Sequence, residues 1–257
     1  MSEPEITPIP AFADNYFWLL ARDGHAVVVD PGAAAPVLAT LHQRGLRLDA
    51  ILLTHHHADH IGGVAHLVEA TGAFVYAPED ARIDAVDRRV GDGDRVTLAG
   101  IGLELEVMAT PGHTLSHIAY HAPGLLFCGD TLFSLGCGRL FEGTPAQMLA
   151  SLDRIAALPD ATRVYCAHEY TLANARFAAT VDPGNAALAQ RTLEATRQRE
   201  AGHPTLPARL GDEKAANPFL RSDSDGVRTG LAGRIPADAD RLARFAALRR
   251  LKDEFRA

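Results

Sequence analysis

Residues 54–63, THHHADHIGG, place four histidines and one aspartate within seven consecutive positions. His55 and His57 end a short apolar run, DAILLTH, which predicts a strand, and residues i and i+2 of an extended chain project to the same side. Asp59 and His60 follow on the bend into the next predicted helix. Neutral imidazole and carboxylate are ligand types that bind zinc, iron or manganese. A solvated polar loop seldom contains four histidines, so the segment predicts a metal site.

Three further ligand-type residues, His113, Asp130 and His168, each follow an apolar strand-like run. Functional side chains collect at strand ends in layered α/β folds. Alone, a histidine at a strand end is more often structural or exposed than a ligand. With the first segment, however, they give five histidines and two aspartates. These are too many for one tetrahedral site and suit two metals with one aspartate bridging them.

The elements that must position these residues change in character along the chain. Strands are predicted at 15–21, 25–30, 49–55, 73–79 and 163–168, with hairpins turning near Gly100 and at 122–124, and helices at 62–72 and 144–159. From about residue 171 the pattern predicts helices at 171–181, 186–202 and 237–255, no convincing strand, and a long connection over 203–221. The last helix has an apolar side formed by Leu242, Phe245, Leu248, Leu251 and Phe255. We therefore predict a mixed α/β domain over 1–172 and a helical domain over 173–257.

Composition excludes several classes of protein. The chain has 257 residues, of which 47% are hydrophobic and 22% charged, as in an ordinary globular protein. A net charge of −7 argues against a general nucleic-acid binder. No run is long enough to cross a bilayer, and the acidic, proline-rich start does not resemble a signal peptide. The last 17 residues nevertheless carry six basic and two acidic side chains, a local positive charge that needs an explanation.

The three cysteines do not indicate a disulfide framework, so a reducing, cytoplasmic compartment is the simpler interpretation. Cys128 and Cys166 lie in apolar runs and are interpreted as small core residues rather than nucleophiles. Cys137 lies in a glycine-rich loop, where some exposure is expected, but nothing nearby marks it as an activated thiol.

The motifs THHHADH, TPGHT, GDTLF and CAHEYT together resemble the metallo-β-lactamase superfamily in its glyoxalase II, or hydroxyacylglutathione hydrolase, branch. GCGRLFEG, AHEYTLAN, NPFLR and the terminal RRLKDEF carry the resemblance to that branch. The resemblance covers nearly the whole chain. It implies an αββα sandwich followed by a C-terminal all-helical domain, in agreement with the boundary near residue 172.

The resemblance also implies roles for single residues. His55, His57 and His113 would bind a first metal, Asp59, His60 and His168 a second, and Asp130 would bridge the two. Asp59 is also the candidate for orienting the nucleophile, whereas His56 is not a ligand and is expected to point away from the metals. Two divalent ions per chain are expected, zinc first, with iron or manganese as alternatives.

The implied activity is hydrolysis of S-D-lactoylglutathione, and of other 2-hydroxyacylglutathiones, to a 2-hydroxy acid and glutathione, the second step of methylglyoxal detoxification. The positions matching the family's glutathione contacts are Arg139, Phe141, Tyr170, Arg249 and Lys252. Arg139 stands where lysine is common and keeps the charge. Phe141 stands where tyrosine is common and lacks the hydroxyl. We expect a cytoplasmic monomer acting on a small molecule, without nucleic-acid or membrane partners.

Two alternatives remain open at this stage. One is a glutathione persulfide dioxygenase of the same superfamily with a single iron, although such enzymes generally lack the helical extension and the terminal basic motif. The other is a metal-binding module that has lost catalysis, which the presence of all seven ligands disfavours. A β-lactamase would lack this C-terminal domain and, in most classes, the histidine at the position of His60.

Overall fold

The computed structural model describes residues 3–256, which group into two compact units. The first unit contains the chain up to Ala109 together with Ser116–Gly129. The second contains Thr110–Leu115 together with the chain from Asp130 onward. The boundary predicted at residue 172 lies inside the second unit and stays a prediction. Within residues 3–256, no helix has the length and apolar character needed to span a bilayer.

The first unit consists of two sets of strands, three α-helices and a 3-10 helix over Ala99–Ile101. Its strands are β1 (Glu5–Ala11), β2 (Asn15–Arg22), β3 (His25–Val29), β4 (Arg47–Leu52), β5 (Phe74–Ala77), β6 (Arg88–Arg89), β7 (Arg95–Leu98), β8 (Leu103–Ala109), β9 (Ile118–Ala122) and β10 (Leu125–Gly129). Its helices are α1 (Ala34–Arg44), α2 (Ala58–Ile61) and α3 (Val64–Thr71). The first six strands form one sheet in chain order, antiparallel up to β3 and parallel from β3 to β6. β7 to β10 pair antiparallel in succession.

The core of the first unit explains why the strands of its first sheet are continuous apolar runs in the sequence. Leu19, Val28 and Ile51 project from the first sheet onto Val37 of α1 and Leu67 of α3, forming one buried cluster. The alternate positions of β2 and β3 are buried as well, so both faces of the sheet are covered. A strand covered on both faces has no polar side, which gives the continuous hydrophobic pattern seen in the sequence.

The second unit is mainly helical. In chain order its elements are β11 (Leu132–Phe133), β12 (Gly136–Cys137), α4 (Pro145–Ala156), β13 (Arg163–Cys166), α5 (Thr171–Val181), α6 (Ala186–Glu200), β14 (Ala208–Arg209), α7 (Leu210–Ala216), α8 (Asp225–Gly230) and α9 (Arg241–Glu254). Ala175 and Ala178 of α5 pack against Leu188 of α6 and Ala216 of α7. Small residues at these contacts allow the helices to approach closely.

Most elements predicted from periodicity are confirmed. The helix predicted over 144–159 is α4, and Thr144 caps it in a reciprocal capping box with Gln147. Helix α5 has the predicted bounds, and α6 ends two residues before its predicted end. Helix α9 begins at Arg241, four residues after its predicted start, and ends one residue before its predicted end. Cys128 and Cys166 are fully buried, as expected of core residues.

Several predictions for the remaining segments are wrong. The connection over 203–221 contains the helix α7, whose Leu210, Glu213 and Ala216 are buried at intervals of three residues. The same segment contains the two-residue strand β14, paired with β13, where no strand was expected. Leu242, assigned to the apolar side of α9, is exposed.

β1 and α1 are among the elements that have no counterpart in the sequence predictions. β1 contains Pro8 and Pro10, but it is the edge strand of its sheet, where a missing backbone N–H is tolerated. Helix α1 has Pro36 in its first turn, a position where proline leaves the helical hydrogen bonds intact, and it ends at Gly45 in the left-handed conformation.

Candidate metal centre and substrate cavity

The histidine-rich segment lies in the first unit, on the loop between β4 and α2 and on α2 itself. His55 Nε2 and His57 Nδ1 are 3.0 Å apart, so the predicted pair of imidazoles is present. His60 Nε2 is 3.5 Å from Asp59 Oδ2. The neighbouring loop approaches so closely that a Cβ on Gly32 would lie 1.9 Å from the Asp59 carbonyl oxygen. Only glycine fits there, and the close approach fixes the backbone that carries Asp59.

Polar residues around the segment orient these side chains. Buried Asp30, which ends β3, accepts hydrogen bonds from the Thr54 amide at 2.8 Å and hydroxyl at 2.7 Å, and its Oδ2 is 3.1 Å from His60 Nδ1. Asn15 donates to Asp59 Oδ2 at 3.0 Å. A carboxylate on one imidazole nitrogen fixes the tautomer that leaves the other nitrogen as a ligand. Sequence analysis missed Asn15 and Asp30, although Asp30 has the signal used elsewhere, a polar residue ending an apolar strand.

His56 has a different environment from its neighbours. Its Nδ1 is 3.4 Å from Oδ2 of buried Asp80, a carboxylate that also accepts hydrogen bonds from Arg82 and from Ser116 Oγ. The hydrogen bonds from Arg82 hold the pKa of Asp80 well below its usual range, although burial acts in the opposite direction. His56 therefore adjoins a permanently ionised structural carboxylate.

The remaining predicted ligands lie in the second unit around Asp130. Its two carboxylate oxygens are each 3.4 Å from an imidazole Nε2, Oδ2 from that of His113 and Oδ1 from that of His168. His113 Nδ1 is 2.7 Å from the Arg139 carbonyl oxygen, to which it donates, so Nε2 is the nitrogen that carries the lone pair. Tyr170 stacks on the His168 ring with centroids 4.7 Å apart.

The residues present fit divalent metal ions. Imidazole nitrogens and carboxylate oxygens converge in both units, and in the first unit ligand atoms of Asp30, His55 and His60 lie within 4.8 Å of one another. The 3.4 Å separations at Asp130 are longer than ordinary hydrogen bonds. Such spacing is typical of side chains arranged around an ion.

A cavity of about 380 Å³ lies within the second unit. It contains all five residues predicted to contact substrate, together with two predicted metal ligands. The lining residues are His113, Asp130, Phe133, Cys137, Arg139, Phe141, Tyr170, Ala173, Asn174, Arg249, Lys252 and Asp253. Metal-type ligands and positively charged side chains thus share one cavity.

Arg249 and Lys252 of α9 do not belong to a solvated face. Arg249 is buried, donates to the Cys137 carbonyl oxygen at 2.6 Å, and lies over the Phe219 ring at 5.2 Å. Lys252 is half-buried, and burial lowers the pKa of its ammonium to about 8, with the nearby guanidinium of Arg249 contributing. Arg256, another basic residue of the C-terminal segment, lies beyond the end of α9.

Cys137 is buried, so the expectation that it has some exposure is wrong. Burial raises the pKa of its thiol to about 11, even though Arg249 lies 3.7 Å from the sulfur. At neutral pH the thiol is protonated and unsuited to nucleophilic attack. Gly138 follows in the same loop, and a Cβ there would lie 1.9 Å from the Asp130 carbonyl oxygen.

Comparison with solved structures and family models defines the class of protein. The model of the metallo-beta-lactamase superfamily matches residues 12–82 and 73–168. ETHE1 from Myxococcus xanthus superposes with a TM-score of 0.66 at 25% identity, covering 99% of this chain and 100% of that one. TTHA1623, solved in a di-iron-bound form, superposes with a TM-score of 0.61 at 28% identity, covering 83% and 100%. The chain has the fold of the metallo-β-lactamase superfamily, with its αββα sandwich.

Comparison with curated sequences is more specific. The hydroxyacylglutathione hydrolase of Xanthomonas campestris is 54% identical over 98% of this chain and 99% of its own, and that of Xylella fastidiosa is 53% identical over 97% of both. The model of the hydroxyacylglutathione hydrolase C-terminus matches residues 169–255. The chain belongs to the hydroxyacylglutathione hydrolase family.

Proposed function

We propose that this protein is a metal-dependent thioester hydrolase that converts S-D-lactoylglutathione, and other 2-hydroxyacylglutathiones, to the 2-hydroxy acid and glutathione. The observation that carries the proposal is the cavity in which Asp130 and His113 lie together with Arg139, Arg249 and Lys252. Metal ligands suit cleavage of an acyl bond, and clustered cations suit a substrate with two carboxylates.

The metal centre of the proposal follows the motif resemblance. His55, His57 and His113 would hold one divalent ion, Asp59, His60 and His168 would hold the other, and Asp130 would be a ligand shared by both. Zinc is proposed first, with iron or manganese as alternatives, because such ligand sets accept all three according to supply. Two ions of this kind, when bound, lower the pKa of a water towards neutrality and polarise a carbonyl oxygen.

The chain's own residues orient the reaction. Asn15 holds the Asp59 carboxylate through a 3.0 Å hydrogen bond, and Asp59 is the residue assigned to orient the attacking water. Asp30 fixes His60, and the Arg139 carbonyl fixes His113. The leaving group is a thiolate whose conjugate acid has a pKa of about 8.5, so it departs without a strong general acid. The proposal therefore requires no further protonating residue.

Substrate binding is assigned to Arg139, Phe141, Tyr170, Arg249 and Lys252. Lys252 is the most direct candidate for a glutathione carboxylate, because its ammonium is half-buried and, among residues 3–256, makes one hydrogen bond, at 3.3 Å to the Ala173 carbonyl oxygen. Arg249 already donates to backbone carbonyls of the loop and adds positive charge beside it. Phe141 contributes an exposed ring above which the Arg139 guanidinium lies at 5.9 Å.

Three broader features belong to the same proposal. Residues 1–172 would supply the catalytic domain and residues 173–257 the substrate-binding domain. The protein would act in the cytoplasm, a location that three buried free cysteines suit. It would act as a monomer on a small molecule, without nucleic-acid or membrane partners.

One set of assays tests the proposal against its rivals. The protein, purified without chelator, is expected to hydrolyse S-D-lactoylglutathione and to contain close to two metal ions per chain by elemental analysis. Oxygen consumption with glutathione persulfide and one iron per chain would instead indicate the dioxygenase. Full hydrolytic activity with a single ion would refute the two-metal assignment, and bound metal without any turnover would indicate a silent module.

A further inference from the structure

One carboxylate lines the otherwise cationic part of the substrate cavity. Asp253 of α9 contributes to the lining beside Arg139, Arg249 and Lys252. Its Oδ1 accepts hydrogen bonds from Arg139 Nε at 3.1 Å and from Arg249 Nη2 at 3.0 Å. Within residues 3–256, its Oδ2 makes no hydrogen bond, and the side chain is 33% exposed. An acceptor therefore remains available on a negatively charged group inside an anion-binding cavity.

The need to position Arg139 and Arg249 does not by itself explain why a carboxylate lies here. Arg249 is held independently by the Cys137 carbonyl at 2.6 Å and by the Phe219 ring. Arg139 is 52% exposed on its side chain, and exposed ion pairs contribute little to stability. A carboxylate beside these cations also weakens their attraction for an anion. The arrangement suits a ligand that brings a positive charge as well as negative ones.

The glutathione portion of the proposed substrate has this charge pattern. At neutral pH it carries two carboxylates and one ammonium, the latter on the γ-glutamyl residue. The part of the cavity away from Asp130 offers three cations, Arg139, Arg249 and Lys252, and the carboxylate of Asp253. We propose that Asp253 is a specificity-determining residue that accepts a hydrogen bond from the γ-glutamyl ammonium of the substrate. The inference rests on the proposed role of the cavity as the glutathione site.

Binding measurements separate this role from a positioning role. The ligands are S-methylglutathione and its N-acetyl derivative, which lacks the ammonium, titrated calorimetrically into the metal-loaded wild type and Asp253→Asn. Charge-assisted hydrogen bonds of this kind predict about tenfold weaker binding of S-methylglutathione to Asp253→Asn. The N-acetyl derivative should bind wild type and variant with the same affinity within about twofold. Glu254→Gln, which neutralises the adjacent exposed carboxylate of α9 outside the cavity lining, is the matched control and should leave both affinities unchanged.

Two results would overturn the inference. An equal loss for both ligands would mean that Asp253 acts through the arginines, and tighter binding of both would mean that it competes with the ligand's carboxylates. Wild-type hydrolysis of S-D-lactoylglutathione is measured in parallel. If Asp253→Asn lost affinity only for S-methylglutathione while the wild type showed no hydrolysis, the recognition role would be supported and the proposed function refuted. A wild type that binds neither ligand would overturn both.

Discussion

Asp130 has a carboxylate oxygen 3.4 Å from each of the two imidazoles beside it, those of His113 and His168. In the proposed centre it is the ligand shared by both ions, so its loss should affect both. Asp130→Ala is expected to lower metal content clearly below two ions per chain. Turnover of S-D-lactoylglutathione should fall by at least about a hundredfold, since even outer-shell changes at metal sites cost ten- to a hundredfold. Elemental analysis and the hydrolysis assay measure both effects.

His56 provides the comparison for this prediction because it lies in the same histidine run. Its Nδ1 lies 3.4 Å from a carboxylate oxygen of Asp80, which also accepts hydrogen bonds from Arg82 and Ser116. His56→Ala is therefore expected to keep its metal content and its activity within a few-fold of wild type. If Asp130→Ala and His56→Ala behaved alike, the ligand assignment would be wrong.

Lys252 should give substrate binding a pH dependence. Burial, together with Arg249 and with Arg176 of α5, lowers the pKa of Lys252 to about 8, while Asp253 and Cys137 act in the opposite direction. Below pH 8 the ammonium is charged and attracts a carboxylate, and above pH 8 the charge is lost. We therefore expect kcat/KM for S-D-lactoylglutathione to fall as the pH rises through about 8. Lys252→Arg, which stays charged, should show a smaller fall than wild type between pH 7 and 9.5, so a fall of the same size in Lys252→Arg would assign the titration to another group.

Removal of the Lys252 side chain should act mainly on KM. A charge-assisted hydrogen bond contributes about 1.5–3 kcal/mol, so Lys252→Ala should lower kcat/KM by roughly ten- to a hundredfold. The contact is remote from the thioester and holds ground state and transition state alike, which places the loss in KM. A small neutral thioester is the control substrate. An equal loss on that substrate, or none on S-D-lactoylglutathione, would contradict a role in binding glutathione.

At the scale of elements, Glu213 of α7 supports the hairpin β11–β12 that enters the cavity. The carboxylate is fully buried and accepts hydrogen bonds from the Ser134 hydroxyl and the Leu135 amide, both at 2.7 Å. Asn217 donates to the carbonyl oxygens of Phe133 and Gly136 at 3.0 and 2.9 Å. Leu135 has a positive φ of 59°, a conformation that the surrounding hydrogen bonds must maintain.

Glu213→Ala should lower the free energy of unfolding by about 2–3 kcal/mol, because it leaves buried donors without an acceptor. Glu213→Gln keeps an acceptor oxygen and should lose less. Urea unfolding followed by circular dichroism gives both values, and Glu200→Gln at the exposed end of α6 serves as the control. Equal stability of Glu213→Ala and wild type would show that this carboxylate does not hold the hairpin.

Elements with local signals were predictable, and elements held by distant contacts were not. Thr144 followed by Pro145 is a sequence pattern typical of a helix start, and it predicts the beginning of α4. α7 has only seven residues between proline-containing segments and is stabilised by contacts such as Glu213 with Ser134, 79 positions away. No periodic pattern develops over so short a helix, so its propensity alone gives no reliable signal.

For the molecule as a whole, the residues of the candidate site also divide into those with a local sequence signal and those placed by distant contacts. The motifs around His55, His113, Asp130 and His168 lie close to strand ends, so residue type and spacing were enough to select them. Asp253 could not be selected, because its partner Arg139 is 114 positions away in the chain. The burial of Cys137 likewise depends on the distant helix α9, whose Arg249 contacts the Cys137 carbonyl oxygen.

The composition of the second unit predicts the effect of ending the chain at residue 172. It contains residues on both sides of position 172, and its cavity takes its lining from both. Without residues 173–257 the β11–β12 hairpin would lose the donors of Asn217 and Arg249 and the acceptor Glu213. A chain ending at residue 172 is therefore expected to lack a cooperative urea transition and to aggregate, whereas the full chain unfolds cooperatively. Co-production of residues 173–257 as a separate chain should restore part of the lost stability. A 1–172 chain that unfolds with the midpoint of the full protein would show that the hairpin needs none of these contacts.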